Sequence, residues 1–259
     1  MRVARFAGDD DPRFGVVGTD GDTPIIAPVK GDPLYAPLEL TGEKIPLEDV
    51  RLLAPVIPRS KVVGVGKNYA KHAAEMGGEV PTDPLIFLKP NTSVIGPGEP
   101  IFRPRASTNV HYEGELAVVI GRICRNLAPE DAAKVIYGYT VGNDISARDF
   151  QASDGQWARA KGYDTFCPLG PWIETDFDPS DVRIRTTLNG ETVQDGRTGE
   201  MVLDVPTIIA YVSSFMTLLP GDVILTGTPE GVGPIVAGDT VSVTIDGLGT
   251  LSNPVVDDE

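Results

Sequence analysis

Tyr112-Glu113-Gly114-Glu115-Leu116-Ala117-Val118-Val119-Ile120 is the stretch around which the rest of the chain is read. It runs out in apolar, β-branched residues, the composition of a buried strand, so a strand is expected over Glu113–Ile120. Side chains two apart on a strand share a face, which sets Glu113 beside Glu115. Two convergent carboxylates repel unless one is protonated or a cation lies between them, and hard oxygen ligands suit Mg²⁺, Mn²⁺ or Ca²⁺. A Glu-x-Glu pair is also common on a solvated strand face. The buried continuation of this strand brings the metal reading level with that plainer one.

Downstream, Pro129 with Glu130 and Asp131 reads as the first turn of a helix whose apolar stripe is Ala132, Val135 and Ile136, with Gly138 as its stop. Residues 139–144 read as the next strand, ending at Asn143-Asp144. If residues 144–151 turn helically, Asp144, Arg148 and Gln151 share a face, an acid, a guanidinium and an amide able to hold a metal and a substrate carboxylate. The alternative is that Asp144 caps that turn and Arg148 pairs with Asp149. Upstream, Lys61–Val65 reads as a strand and Tyr69–Met76 as a short helix ended by Gly77-Gly78, a pair also suited to the hinge of a lid. In that helix His72 and Glu75 are three apart, so the carboxylate can orient the imidazole and raise its basicity; an incidental surface ion pair has the same spacing. His111, the other histidine, is read as structural.

Elsewhere, Ile184, Thr186 and Leu188 alternate into Asn189-Gly190, a type I′ hairpin signal. Pro206 opens a helix carrying Ile208, Ile209, Val212, Phe215 and Met216, Val223–Thr226 reads as a strand, and Val241, Val243 and Ile245 alternate into a last hairpin at Asp246-Gly247. With 29 Gly and 23 Pro, turns are frequent and strands outnumber helices. The expected class is α+β, predominantly β, with stacked and mostly antiparallel sheets. A small β-rich unit over residues 1–57 precedes a main domain over residues 58–259.

Lys and Arg number 22 against 37 Asp and Glu, a formal charge of −15, and no basic run offsets it, so nucleic acid is not an expected partner. No apolar run follows the N-terminal arginines, and no stretch approaches ~18 uninterrupted apolar residues, so no membrane association is expected and the chain reads as soluble and cytoplasmic. Cys124 and Cys167 read as buried free thiols. Gly64-x-Gly66 has Tyr69 where a dinucleotide fingerprint needs its third glycine. There is no phosphate-loop lysine pattern, no Gly-x-Ser-x-Gly elbow and no zinc-type Cys/His spacing.

Taken with Gly66-Lys67-Asn68-Tyr69, Phe87-Leu88-Lys89-Pro90, Asn143 through Asp149, Lys161-Gly162-Tyr163-Asp164-Thr165-Phe166 and Thr226 through Gly233, these segments resemble the fumarylacetoacetate hydrolase superfamily from about Lys61 to Val256. The resemblance is to the shorter branch of acylpyruvases, oxaloacetate decarboxylases and 2-hydroxyhepta-2,4-diene-1,7-dioate isomerases. It implies a mixed β-sandwich roll, usually a homodimer, with one Mg²⁺ or Mn²⁺ on Glu113, Glu115 and Asp144. It also implies a His72–Glu75 dyad on a lid, Lys161 near the reacting carbon, and Arg148, Gln151 and Thr228 addressing the substrate. The activity so implied is C–C hydrolysis of a small 2-oxo or 2,4-dioxo acid through a metal-stabilised pyruvate enolate, with isomerisation and decarboxylation as alternatives. A non-catalytic metal-binding protein that kept the fold is the alternative of another class.

Overall fold

The computed structural model describes residues 1–8 and 11–258. Its larger sheet has twelve strands. From one edge run Ile45–Pro46, Thr23–Val29, Arg13–Asp20, Arg2–Phe6, Cys167–Glu174, Ile136–Asn143, Gly114–Ile120, Val223–Leu225, Val62–Gly66 and Leu85–Lys89, with Leu52–Leu53 and Val94–Ile95 paired to its side. A five-stranded sheet carries Glu191–Arg197, Arg183–Leu188, Thr240–Ile245, Gly249–Asp257 and Ile101–Arg103, and Val110–His111 pairs with Ser146–Ala147. Most pairs are antiparallel, as expected for hairpin-rich sequence; Val223–Leu225 beside Val62–Gly66 is one parallel exception. The Asn189-Gly190 turn has φ of 53° and 87°, the doubly left-handed backbone of a type I′ hairpin.

The central strand shows why the fold closes around this sequence. Leu116, Val118 and Ile120 enter one core with Val63, Val65, Val141 and Ile224 of their own sheet, Ile184, Val243 and Ile245 of the five-stranded sheet, and Ile208, Ile209 and Val212 of the helix Val205–Phe215. Ala117 and Val119 enter a second core on the opposite face with Cys167, Leu169 and Val223. Each such side chain, fully buried, contributes up to ~1.5–3 kcal/mol. Glu113 and Glu115 share the parity of Ala117 and Val119, so the same alternation that builds two cores delivers both carboxylates to one face.

Three local expectations need correction. Pro129–Lys134 is a single 3₁₀ stretch, not a helix reaching Gly138, because Ile136 already pairs with Ile120 in the sheet. Ladder pairing of Ile136–Asn143 outweighs the local helical pattern, although Ala132 and Val135 are buried as the stripe required. Residues 144–147 are not helical either: Ser146–Ala147 is drawn into pairing with Val110–His111, and the helix covers only Arg148–Ser153. The helix Val205–Phe215, capped by Asp204 through the Thr207 amide at 2.9 Å, buries Ile208, Ile209 and Val212, but Phe215 is 46% exposed and Met216 lies past its end. Both cysteines are buried and free. Among the described residues no helix is long and apolar enough to cross a membrane.

Candidate active site

Glu113 stands one residue before its strand, and Glu115 lies inside it. The adjacent strand is in antiparallel register, Gly114 opposite Asn143, so its next residue, Asp144, arrives beside Glu113. Two bonds lock that corner: the Asp144 amide donates to Glu113 O at 2.8 Å, and the Glu113 amide donates to Asn143 Oδ1 at 2.9 Å. All three carboxylates are buried, with one oxygen of each within 4.8 Å of the others. Gly114 lets the second sheet approach here, since a Cβ on it would sit 2.3 Å from Thr186 Oγ1.

Three cationic side chains surround this cluster. Lys161 Nζ lies 2.8 Å from Glu113 Oε2 and 2.5 Å from Asp144 Oδ2; Lys89 Nζ lies 2.5 Å from Asp144 Oδ1; Arg148 Nη2 lies 2.6 Å from Glu113 Oε1. Burial works against the charge of Glu113, but the Lys161 ammonium and the Arg148 guanidinium outweigh it and hold the carboxyl below its ordinary range. Lys161 is likewise opposed by burial and carried upward by Asp144 and Glu113. Among the described residues Glu115 makes no ion pair, accepting instead from the Gly227 amide at 2.7 Å. Burial, then the charges of Asp144 and Glu113, push it well above the carboxylate range. A cluster of oxygen donors in which one carboxylate lacks a counter-ion fits a hard divalent cation such as Mg²⁺ or Mn²⁺.

Glu113, Glu115, Arg148 and Lys161 line a cavity of about 210 Å³ together with His72, Gln151, Thr228, Lys67, Met76 and Trp157. The short helix Ala70–Glu75 presents buried His72 to it, with Nδ1 at 3.2 Å from Glu75 Oε2, and Glu75 in turn accepts from the Gly231 amide at 3.1 Å. With Nδ1 engaged by the carboxylate, Nε2 is the nitrogen free to take a proton. Arg148 Nη1 donates to Gln151 Oε1 at 2.8 Å, while its buried Nε and Nη2 have no hydrogen-bond acceptor despite the Glu113 ion pair. Thr228 donates its hydroxyl to Gly114 O at 2.9 Å and accepts from Gln194 at 2.8 Å. All nine residues singled out from the sequence therefore lie in or at this one cavity, Asp144 and Glu75 as direct partners of its lining. His111 does not line it; burial and then the Arg148 charge lower its imidazole to about 4.

Lys89 and Lys67 stand in the segments that carry the resemblance without a role of their own, and Gln194 lies outside them. Lys89, at the end of an apolar strand, carries a weak signal only, a lysine directly before Pro90 that reads as a surface terminus. Gln194 is buried in an otherwise largely exposed strand, a position no pattern marks.

A buried carboxylate triad ringed by fixed cations shares one small cavity with a His–Glu pair, an arrangement of acid, base and cation groups able to do chemistry on a small organic anion. Residues 61–256 match the model of the fumarylacetoacetate (FAA) hydrolase C-terminal domain, and residues 1–55 match that of the Rv2993c-like N-terminal domain. The chain belongs to the fumarylacetoacetate hydrolase family. It is 55% identical to Protein Rv2993c of Mycobacterium tuberculosis, over 99% of this chain and 98% of that one. Its structure is similar to that of 5-carboxymethyl-2-hydroxymuconate delta-isomerase from Mycobacterium smegmatis, with a TM-score of 0.92 and 55% identity over the whole of both chains. It is also similar to maleylpyruvate hydrolase from Sphingobium sp. SYK-6 in complex with manganese(II) and pyruvate, with a TM-score of 0.82 and 36% identity over the whole of both. The family is one of enzymes, hydrolases and isomerases among them, and this chain is an enzyme of that family.

Proposed function

We propose that the enzyme hydrolyses a C–C bond in a small 2,4-dioxo acid of the acylpyruvate or fumarylpyruvate type, releasing pyruvate and a carboxylic acid. The observation that carries this is the His72–Glu75 dyad opposite the Glu113–Glu115–Asp144 cluster in one cavity. Metal storage alone needs no such base. A Mg²⁺ or Mn²⁺ ion on that cluster would supply Lewis-acid stabilisation of negative charge on the 2-oxo acid unit.

The side chains supply the rest. The orphaned Nε of Arg148, whose Nη1 is held by Gln151 and whose Nη2 faces Glu113, receives the 2-oxo acid carboxylate. His72, oriented by Glu75, takes a proton from water, and the resulting hydroxide adds to the C4 carbonyl. The C3–C4 bond then breaks, its electron pair passing to C3 in conjugation with the 2-oxo group, and the carboxylic acid leaves. Lys161, buried beside the cluster, returns a proton to C3, which completes pyruvate.

A second reading, isomerisation of a 2-hydroxydienoic diacid, uses the same groups without an attacking water. It draws support from the likeness to the Mycobacterium smegmatis isomerase. A panel of acetylpyruvate, fumarylpyruvate, 2-hydroxyhepta-2,4-diene-1,7-dioate and oxaloacetate, with Mg²⁺ or Mn²⁺ and with EDTA, separates them. Metal-dependent pyruvate release from a dioxo acid is expected. Double-bond migration with no pyruvate from any dioxo acid would replace hydrolysis by the second reading.

A further inference from the structure

We infer that Lys67 is a specificity-determining residue that binds the remote carboxylate of a dicarboxylic 2-oxo acid, so that the substrate is held at both ends. This rests on the 2-oxo acid reading above and narrows it to substrates with a second carboxylate.

Lys67 lines the cavity and is half-buried, yet among the described residues it makes no ion pair and no hydrogen bond. The other cationic groups of the cavity are engaged, Arg148 with Glu113 and Lys161 with Glu113 and Asp144. The direction of Lys67 is built in. Its backbone is left-handed at φ 57°, uncommon for a side chain of this size, and the next residue pins it there. Buried Asn68 donates to Leu203 O at 3.0 Å and Thr226 O at 2.8 Å, and accepts from the Leu203 amide at 2.8 Å. The ammonium then comes to rest against Gly78, at the foot of the His72 helix, where a Cβ would lie 2.6 Å from Nζ. A free cation is thus seated between the end of the His72 segment and the cavity, in space a side chain at 78 would take.

The walls and the charge balance agree with this placement. Val65, Met76, Ala152 and Trp157 line the same cavity as Arg148 and Lys67 and offer apolar wall for the carbon chain of the acid. Three carboxylates face three buried cations, so a divalent ion leaves that cluster two charges positive; with Glu75 and Lys67 both counted the site stays at two. A dianion matches that field better than a mono-acid does. The volume, about 210 Å³, is that of roughly seven waters at ~30 Å³ each, enough for an acid longer than pyruvate.

The test is calorimetric binding to the Mn²⁺-loaded full chain. Each of 2-oxoglutarate, 2-oxoadipate and 2-oxopimelate is compared with the mono-acid of equal carbon number, which ends in a methyl group. Wild type is expected to prefer the best-fitting diacid by about 10- to 100-fold, the range of a hydrogen bond to a charged group. That preference should shrink as salt is raised. Lys67→Met should bring the ratio close to one while leaving mono-acid affinity unchanged, and Lys67→Arg should keep it. Gly78→Val, which displaces the ammonium without removing it, should also lower the ratio. A diacid preference that survives Lys67→Met, or an equal loss for diacid and mono-acid, would overturn the assignment while leaving the 2-oxo acid reading intact. Failure of every 2-oxo acid to bind wild type would instead remove that reading, and this inference with it.

Discussion

Lys89 closes an apolar strand and sets its ammonium 2.5 Å from Asp144 Oδ1, out of reach of solvent. Removing one partner of a buried ion pair typically costs ~3–5 kcal/mol, because the other charge is stranded. Lys89→Met is therefore expected to lower the thermal midpoint of the metal-free protein by several degrees, and Mn²⁺ should recover part of the loss by replacing the missing counter-charge. Scanning calorimetry with and without Mn²⁺ checks this; an unchanged midpoint would show that Lys89 does not balance Asp144. At this scale the sequence was legible where chemistry coincides with periodicity. Glu113 and Glu115 are paired by strand alternation alone. Lys89 and Gln194 were not legible, because each acquires its meaning from a neighbour supplied by a distant element, Asp144 for one and Thr228 for the other.

The helix Ala70–Glu75, at six residues, is too short to persist alone, since isolated helices below ~12–15 residues are marginal. It is held by packing of His72 and Ala73 and by the Gly231 amide on Glu75. The base proposed on this element is assigned to the activation of water. His72→Ala should depress acylpyruvate hydrolysis by ~10²–10⁴-fold, with a smaller effect on oxaloacetate decarboxylation, which needs no attacking water. The check is kcat on both substrates for wild type, His72→Ala and Glu75→Ala at saturating Mg²⁺; equal losses on both would mean the dyad serves proton transfer or lid ordering in either reaction. Existence of this helix and its end at Gly77-Gly78 could be read from spacing. The 129–137 and 144–151 segments could not, because cross-strand partners at Ile120 and Val110–His111 decide them.

For the molecule as a whole, the predominance of strands and their antiparallel character follow from composition and turn signals, but strand order does not. Arg2–Phe6 pairs with Cys167–Glu174, more than 160 residues away, which joins the N-terminal strands to the long sheet. No local pattern encodes such a pairing. What the assembled sheets create is a rigid corner where three carboxylates meet. Binding of a divalent cation there is the claim on which the proposed chemistry depends. Glu115→Gln tests it most cleanly: among the described residues Glu115 alone of the three makes no ion pair, so the substitution strands no buried charge and leaves the fold intact. Mn²⁺ titrated calorimetrically into metal-free protein should bind wild type at one site per chain, and Glu115→Gln should weaken it at least ~100-fold, since loss of even an outer-shell partner costs ~10–100-fold. Absence of binding to wild type, or equal affinity in wild type and Glu115→Gln, would contradict the metal site and the reaction proposed on it.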